Sequence, residues 1–138
     1  CATWYLNWLA HGWILHFSVQ FSKWIYRKMS TNYKVWFNGE LREFDDCKVH
    51  VQSHALHYGS SVFEGIRAYK TPQGTAFFRL DEHLKRLFYS ASIYRIPIHY
   101  SFEEIREACL ETVRVSGLES AYIRPLVARG NCGLGLIS

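Results

Sequence analysis

Proline is scarce, with three residues in 138, and nine glycines match an ordinary proportion, which excludes collagen-like and linker-type sequence. Charged residues make up only 20% against 49% apolar, so the chain is globular in composition and not disordered. The four cysteines, at positions 1, 47, 109 and 132, form no Cys-x-x-Cys pair and no short framework. They read as reduced thiols of a cytoplasmic protein. No Gly-x-Ser-x-Gly elbow, P-loop or Rossmann fingerprint is present, nor an internal repeat or low-complexity tract.

The first 28 residues lack any acid, yet Lys23, Arg27 and Lys28 add +3. The remaining residues carry 13 basic against 12 acidic groups, so most of the formal +4 belongs to the front segment. A body this close to neutral argues against nucleic acid or an acidic membrane as partner.

That front segment holds four of the five tryptophans and begins with Cys1, while Met29 is the single methionine. A membrane span needs about 18–20 apolar residues in a row. Asn7, His11, His16, Ser18 and Gln20 interrupt this run, and the charges follow the apolar part where a signal peptide has them first. We read residues 1–28 as translated upstream sequence with Met29 as the natural start. A membrane-associated segment and a structural extension are the alternatives.

After Met29 the patterning is regular. Tyr33, Val35 and Phe37 alternate with Lys34 and Trp36, and Asn38-Gly39 then separates them from Leu41 and Phe44. This is a strong hairpin signal. A second hairpin is expected to join residues 62–69 to 75–79 through Thr71-Pro72-Gln73-Gly74. A helix follows from Asp81 to about Tyr94, with Leu84, Leu87, Phe88 and Ala91 at helical spacing and Pro97 beyond its end. The next opens on a capping box, Ser101 with Glu104, turns Ile105, Ala108, Cys109, Thr112 and Val113 inward, and closes at Gly117. A strand through residues 121–124 meets Pro125, which places it at an edge or breaks it there. Residues 130–135, rich in glycine, read as a loop. Strands grouped around two helices, without βαβ alternation, predict an α+β fold with an antiparallel-rich sheet.

Three groups could carry chemistry. His50, His54 and His57, four and three apart, would share one face of a helix and could hold zinc. No acid or cysteine completes such a set, so they read as hydrogen-bonding residues of a turn-rich segment, with no metal. In the stretch from Tyr58 through Gly59, Phe63 and Gly65 to Arg67, a glycine inside a strand implies a bulge or a close backbone contact. Tyr122 and Arg124 stand two apart on a strand and face the same way, a phenol and a guanidinium fork suited to a carboxylate or simply stacked at the surface. Arg86, between Leu84 and Leu87, reads from spacing as a solvated or snorkelling cation that could also reach a phosphate.

Four ordered blocks resemble the bacterial branched-chain amino-acid aminotransferases. They are Trp36-Phe37-Asn38-Gly39-Glu40, His50-Val51-Gln52-Ser53-His54-Ala55-Leu56-His57-Tyr58-Gly59, Phe63-Glu64-Gly65-Ile66-Arg67-Ala68-Tyr69 and Ser120-Ala121-Tyr122-Ile123-Arg124-Pro125-Leu126. The resemblance implies the small N-terminal domain of a fold-type IV enzyme using pyridoxal 5′-phosphate (PLP), over residues 29–135. It implies that Arg86 grips the cofactor phosphate, and that Tyr58 and Phe63 line the pocket for a branched side chain. It also implies that Arg67, Tyr122 and Arg124 are polar groups of the substrate pocket, the last two reading the distal carboxylate of glutamate. The substrates implied are leucine, isoleucine or valine with 2-oxoglutarate and glutamate, in a cytoplasmic homo-oligomer. The family's Schiff-base lysine lies in a second domain that this chain does not reach, since Lys23, Lys28, Lys34, Lys48, Lys70 and Lys85 match no such context. Residues 136–138 read as a truncated end, and the chain alone is expected to be inactive. A D-amino-acid aminotransferase, an aminodeoxychorismate lyase, and a non-enzymatic membrane-tethered or partner-binding domain are the alternative readings.

Overall fold

The computed structural model describes residues 34–132. The readings of residues 1–28 and 136–138, and the latter half of the loop at 130–135, lie outside them. No helix among the described residues is long and apolar enough to cross a membrane.

The Asn-Gly hairpin forms where the pattern places it. Strands β1 (Lys34–Phe37) and β2 (Glu40–Glu43) pair antiparallel, Phe37 opposite Glu40. Asn38 (φ 51°) and Gly39 (φ 98°) both take positive φ, the geometry whose twist matches the strands it joins. Phe44 falls outside β2, in a 3-10 turn Phe44–Asp46. The segment expected as turns contains a one-turn helix, α1 (His54–Tyr58), closed by Gly59 at φ 65°. Its first amides donate to the carbonyls of Gly130 (2.9 Å) and Arg129 (3.0 Å), tying it to the far end of the described chain.

The expected strand over residues 62–69 is divided. β3 (Ser61–Phe63) pairs with β7 (Leu126–Ala128), whereas β4 (Ile66–Thr71) lies between β5 (Gly74–Phe77) and β6 (Ala121–Ile123). Strand β7, unforeseen in the sequence, resumes directly after Pro125. Phe63 faces Leu126 before the gap and Ile66 faces Ile123 after it, so both strands skip two residues and the register is kept. The interruption is therefore not a bulge, which would add a residue on one side. Glu64 donates its amide to the Pro125 carbonyl at 3.0 Å, and proline has no N–H to return. The Pro72-Gln73 turn stands as expected, but β5 ends at Phe77, because Arg79 adopts φ 52° and starts the next helix.

Helix α2 (Leu80–Ile93) buries Leu84, Leu87 and Ala91 and ends three residues before Ile96, with Arg95 at φ 51° turning the chain. Helix α3 (Phe102–Ser116) has the full capping box: Glu104 N–H donates to Ser101 Oγ at 3.2 Å and Ser101 N–H to Glu104 Oε2 at 2.7 Å. Gly117 ends it at φ 66°, a conformation that costs glycine little. One core joins these elements: Val62 and Ile66 from the broken strand, Leu80, Leu84, Leu87 and Ala91 from α2, and Cys109 from α3. Burial pushes the Cys109 thiol up to about 11, so it stays protonated and behaves as a small apolar side chain.

Candidate functional site

Strand alternation sorts the residues around the break onto two faces. Val62, Glu64, Ile66 and Ala68 are buried, whereas Phe63 and Arg67 are exposed, and so are Tyr122, Arg124 and Leu126 on the opposing strands. The outer face is thus a patch of two arginines and three large apolar or aromatic groups.

Arg124 is its centre. The guanidinium carbon lies 4.6 Å from the Phe63 ring centroid and 5.6 Å from that of Tyr122, and Nη2 donates to Tyr122 Oη at 3.2 Å. Arg67 is the cross-strand partner of Tyr122. Neither Arg67 nor Arg124 has a carboxylate partner among the described residues, so the outer face presents two uncompensated cations beside apolar surface. Gly65 makes the arrangement possible. A Cβ there would stand 2.9 Å from Tyr122 Cζ and 3.2 Å from Cε2, so the phenol occupies the space a side chain would take. Of the two meanings of this glycine, the close contact is the one realised.

Arg86 lies on α2. Its Nε donates to Glu64 Oε1 at 2.5 Å and its Nη2 to Glu64 Oε2 at 2.6 Å, a two-bond fork. The solvated cation expected from spacing is half right: the side chain is 64% exposed, but one edge is engaged with a carboxylate only 6% exposed. His83, one turn earlier, completes a triad through Nδ1 to Glu64 Oε2 at 2.9 Å. The Arg86 fork, then His83, hold the Glu64 carboxyl well down, to about 2, against the desolvation that pushes it up. An ionised carboxylate only accepts, so His83 Nδ1 carries the hydrogen, and the 3.4 Å approach of Arg86 Nη2 to that nitrogen is donor to donor. Arg86 Nη1 makes no hydrogen bond among the described residues and belongs to the exposed edge of the side chain, able to donate to an anion such as a phosphate.

Glu64 and His83 were not singled out from the sequence. The signal was there: period-two spacing puts Glu64 between Val62 and Ile66 on the core face, and a carboxylate there requires partners. Tyr58 is exposed at the end of α1. Its ring packs on His54 (4.4 Å between centroids) and His57 (6.2 Å), and no hydrogen bond or ring contact joins it to Phe63, Arg67, Tyr122 or Arg124. The three histidines each have a separate partner: His54 Nδ1 with Ser60 Oγ (2.6 Å), His57 Nε2 with the Val51 carbonyl (2.9 Å), and His50 Nδ1 with the Gln52 amide (3.1 Å). No group of three metal-ligating side chains gathers among the described residues.

Residues 61–137 match the family described as Amino-transferase class IV. The chain is 54% identical over 102 residues to the branched-chain-amino-acid aminotransferase of Escherichia coli (strain K12), covering 74% of this chain and 33% of that protein. A crystal structure of the E. coli branched-chain amino acid aminotransferase superposes with a TM-score of 0.75 at 52% identity, over 77% of this chain and 35% of that one. The T.th. branched-chain amino acid aminotransferase complexed with N-(5′-phosphopyridoxyl)-L-glutamate superposes with a TM-score of 0.75 at 49% identity, over 77% and 36%. The chain thus spans about a third of the length of the curated relatives it matches. It belongs to the amino-transferase class IV family, and the proteins it is similar to are branched-chain-amino-acid aminotransferases.

Proposed function

We propose that this chain supplies the substrate-facing wall and one phosphate contact of a PLP-dependent transaminase that moves the amino group of leucine, isoleucine or valine to 2-oxoglutarate. The observation that carries the reading is the outer face of the broken strand, where Arg67 and Arg124 lie beside Phe63 and Tyr122 with no acid partner among the described residues. An apolar side chain and a dicarboxylic acid must share one pocket in this reaction. Phe63 and Tyr122 can cover the branched alkyl group, and Tyr58 is assigned to the same wall. The free edge of Arg124, set by its ring contacts and the Tyr122 hydroxyl, can take the distal carboxylate of glutamate in a bidentate grip. A pocket that satisfies the acid with placed donors need not exclude the alkyl chain.

The cofactor, when bound, acts as the electron sink that lets the amino group leave one acid and join another. The residues present fit it at its phosphate end, because Arg86 keeps N–H groups on its exposed edge. The T.th. relative, complexed with a phosphopyridoxyl-glutamate, supports both the cofactor and the acid substrate. The same reading includes self-association and a cytoplasmic setting. It is favoured over a D-amino-acid aminotransferase by the names of the relatives.

The test is the purified product of the gene that encodes these residues, loaded with PLP and given leucine and 2-oxoglutarate. Formation of glutamate and the leucine-derived keto acid is expected. Amino transfer from D-alanine but not from leucine, or no transfer at all, overturns the proposal.

A further inference from the structure

We infer that Glu64, held by His83, is the positioning residue that fixes the Arg86 guanidinium with its Nη1 edge turned out for the cofactor phosphate. The inference rests on the reading of Arg86 above and extends it to two residues to which that reading assigned no role. Strand alternation carries Glu64 to the inner face beside α2, where its carboxylate is buried. Two donors one turn apart on that helix, His83 and Arg86, meet it, which uses the spacing at which helix side chains are neighbours. Without this carboxylate, an arginine exposed on a helix surface would sample many rotamers, and an anion binding to it would have to order it. With it, Nε and Nη2 are taken by the two oxygens and the plane of the fork is set before any ligand arrives.

The charge balance sharpens the point. Glu64 offsets the charge of Arg86, so the pair attracts a phosphate from a distance less than a lone arginine would. What the pair contributes is geometry, and a geometric contribution disappears when the phosphate does.

The experiment compares the dissociation constants of PLP and of pyridoxal, which lacks the phosphate, for the PLP-free product of the whole gene. Thermal midpoints are recorded alongside. In the wild type PLP binds more tightly, and the ratio measures phosphate recognition. Glu64→Gln is expected to cut that ratio about tenfold by loss of charge-assisted bonds that hold the donor. Arg86→Ala is expected to cut it at least as much, and adding Glu64→Gln to Arg86→Ala should cut it no further. A ratio left intact in Glu64→Gln, or PLP and pyridoxal weakened equally as the midpoint falls, assigns Glu64 to the fold alone and overturns the inference. If Glu64→Gln does not fold, His83→Ala carries the test, with a smaller fall in the ratio expected and an unchanged ratio overturning it. A wild type with no preference for PLP refutes the reading of Arg86 itself, and the inference with it.

Discussion

Arginine does two different jobs in this molecule, set by whether a carboxylate is near. Arg86 is pinned by Glu64, whereas Arg124 is pinned by aromatic faces and a phenol, with no carboxylate partner among the described residues. Replacing Arg124 with glutamine should therefore raise KM for 2-oxoglutarate about tenfold or more, while KM for leucine moves less, since a charged hydrogen bond to a carboxylate is lost. Steady-state kinetics on the two substrates checks this, and equal changes would refute the assignment. Glu64 carries a pH signature. Its folded pKa is depressed, so its stabilisation is complete above the ordinary carboxylate value of 4.5 and is lost as pH falls towards about 2. Wild type should lose on the order of 2 kcal/mol more than Glu64→Gln across that interval, the exposed side of Arg86 keeping the figure modest. Urea unfolding at a series of pH values measures it.

At the scale of elements, the break in the long strand is the feature that builds the site. It lets one face bury Val62, Glu64 and Ile66 while the other opens a gap over Gly65 that the Tyr122 ring fills. Gly65→Ala should displace that ring and release Arg124. The expected result is loss of 2-oxoglutarate recognition similar to Arg124→Gln, with little change in unfolding free energy relative to a core truncation such as Ile66→Ala, at about 2–5 kcal/mol. An unchanged KM would mean the ring is not held by the glycine. The capping box of α3 is a local device, and Ser101→Ala should cost about 1 kcal/mol by denaturant unfolding without touching either substrate constant.

These elements also divide what could be read in advance from what could not. The Asn38-Gly39 turn, the Ser101–Glu104 box and the Gly117 cap are contacts between residues near in sequence, and each stood as read. The α2 stripe was legible for the same reason, since the helix repeat is local. The division of residues 62–69 was not, because it depends on Pro125 opposite Glu64, some sixty residues away in the chain. Strand β7 and the short helix α1 were missed on the same ground: each is held by a distant partner, and three residues or one turn leave no periodicity to detect. Among site residues, Tyr122 and Arg124 came together because they are two apart in sequence, Tyr122 in β6 and Arg124 just beyond its end. The Glu64–His83–Arg86 triad needed the strand and the helix to be packed first.

At the scale of the whole molecule, the described part is a set of short antiparallel sheets packed with helices α2 and α3. A core of apolar residues from the broken strand, α2 and α3 joins these elements. Arginines and aromatic rings are exposed around the break in the strand, and Arg86 reaches the buried carboxylate of Glu64 within that break. The relatives this chain matches are about three times its span, so the wall is read as one side of a larger pocket. The measurement that bears most directly on these assignments is a crystal structure of the whole gene product with PLP and glutamate bound. The expected result is a phosphate oxygen about 2.7–2.9 Å from Arg86 Nη1, with Glu64 still on Nε and Nη2, and the distal carboxylate of glutamate on Arg124 beside Tyr122. A phosphate held without Arg86, or a carboxylate bound away from the Arg124 face, would contradict it.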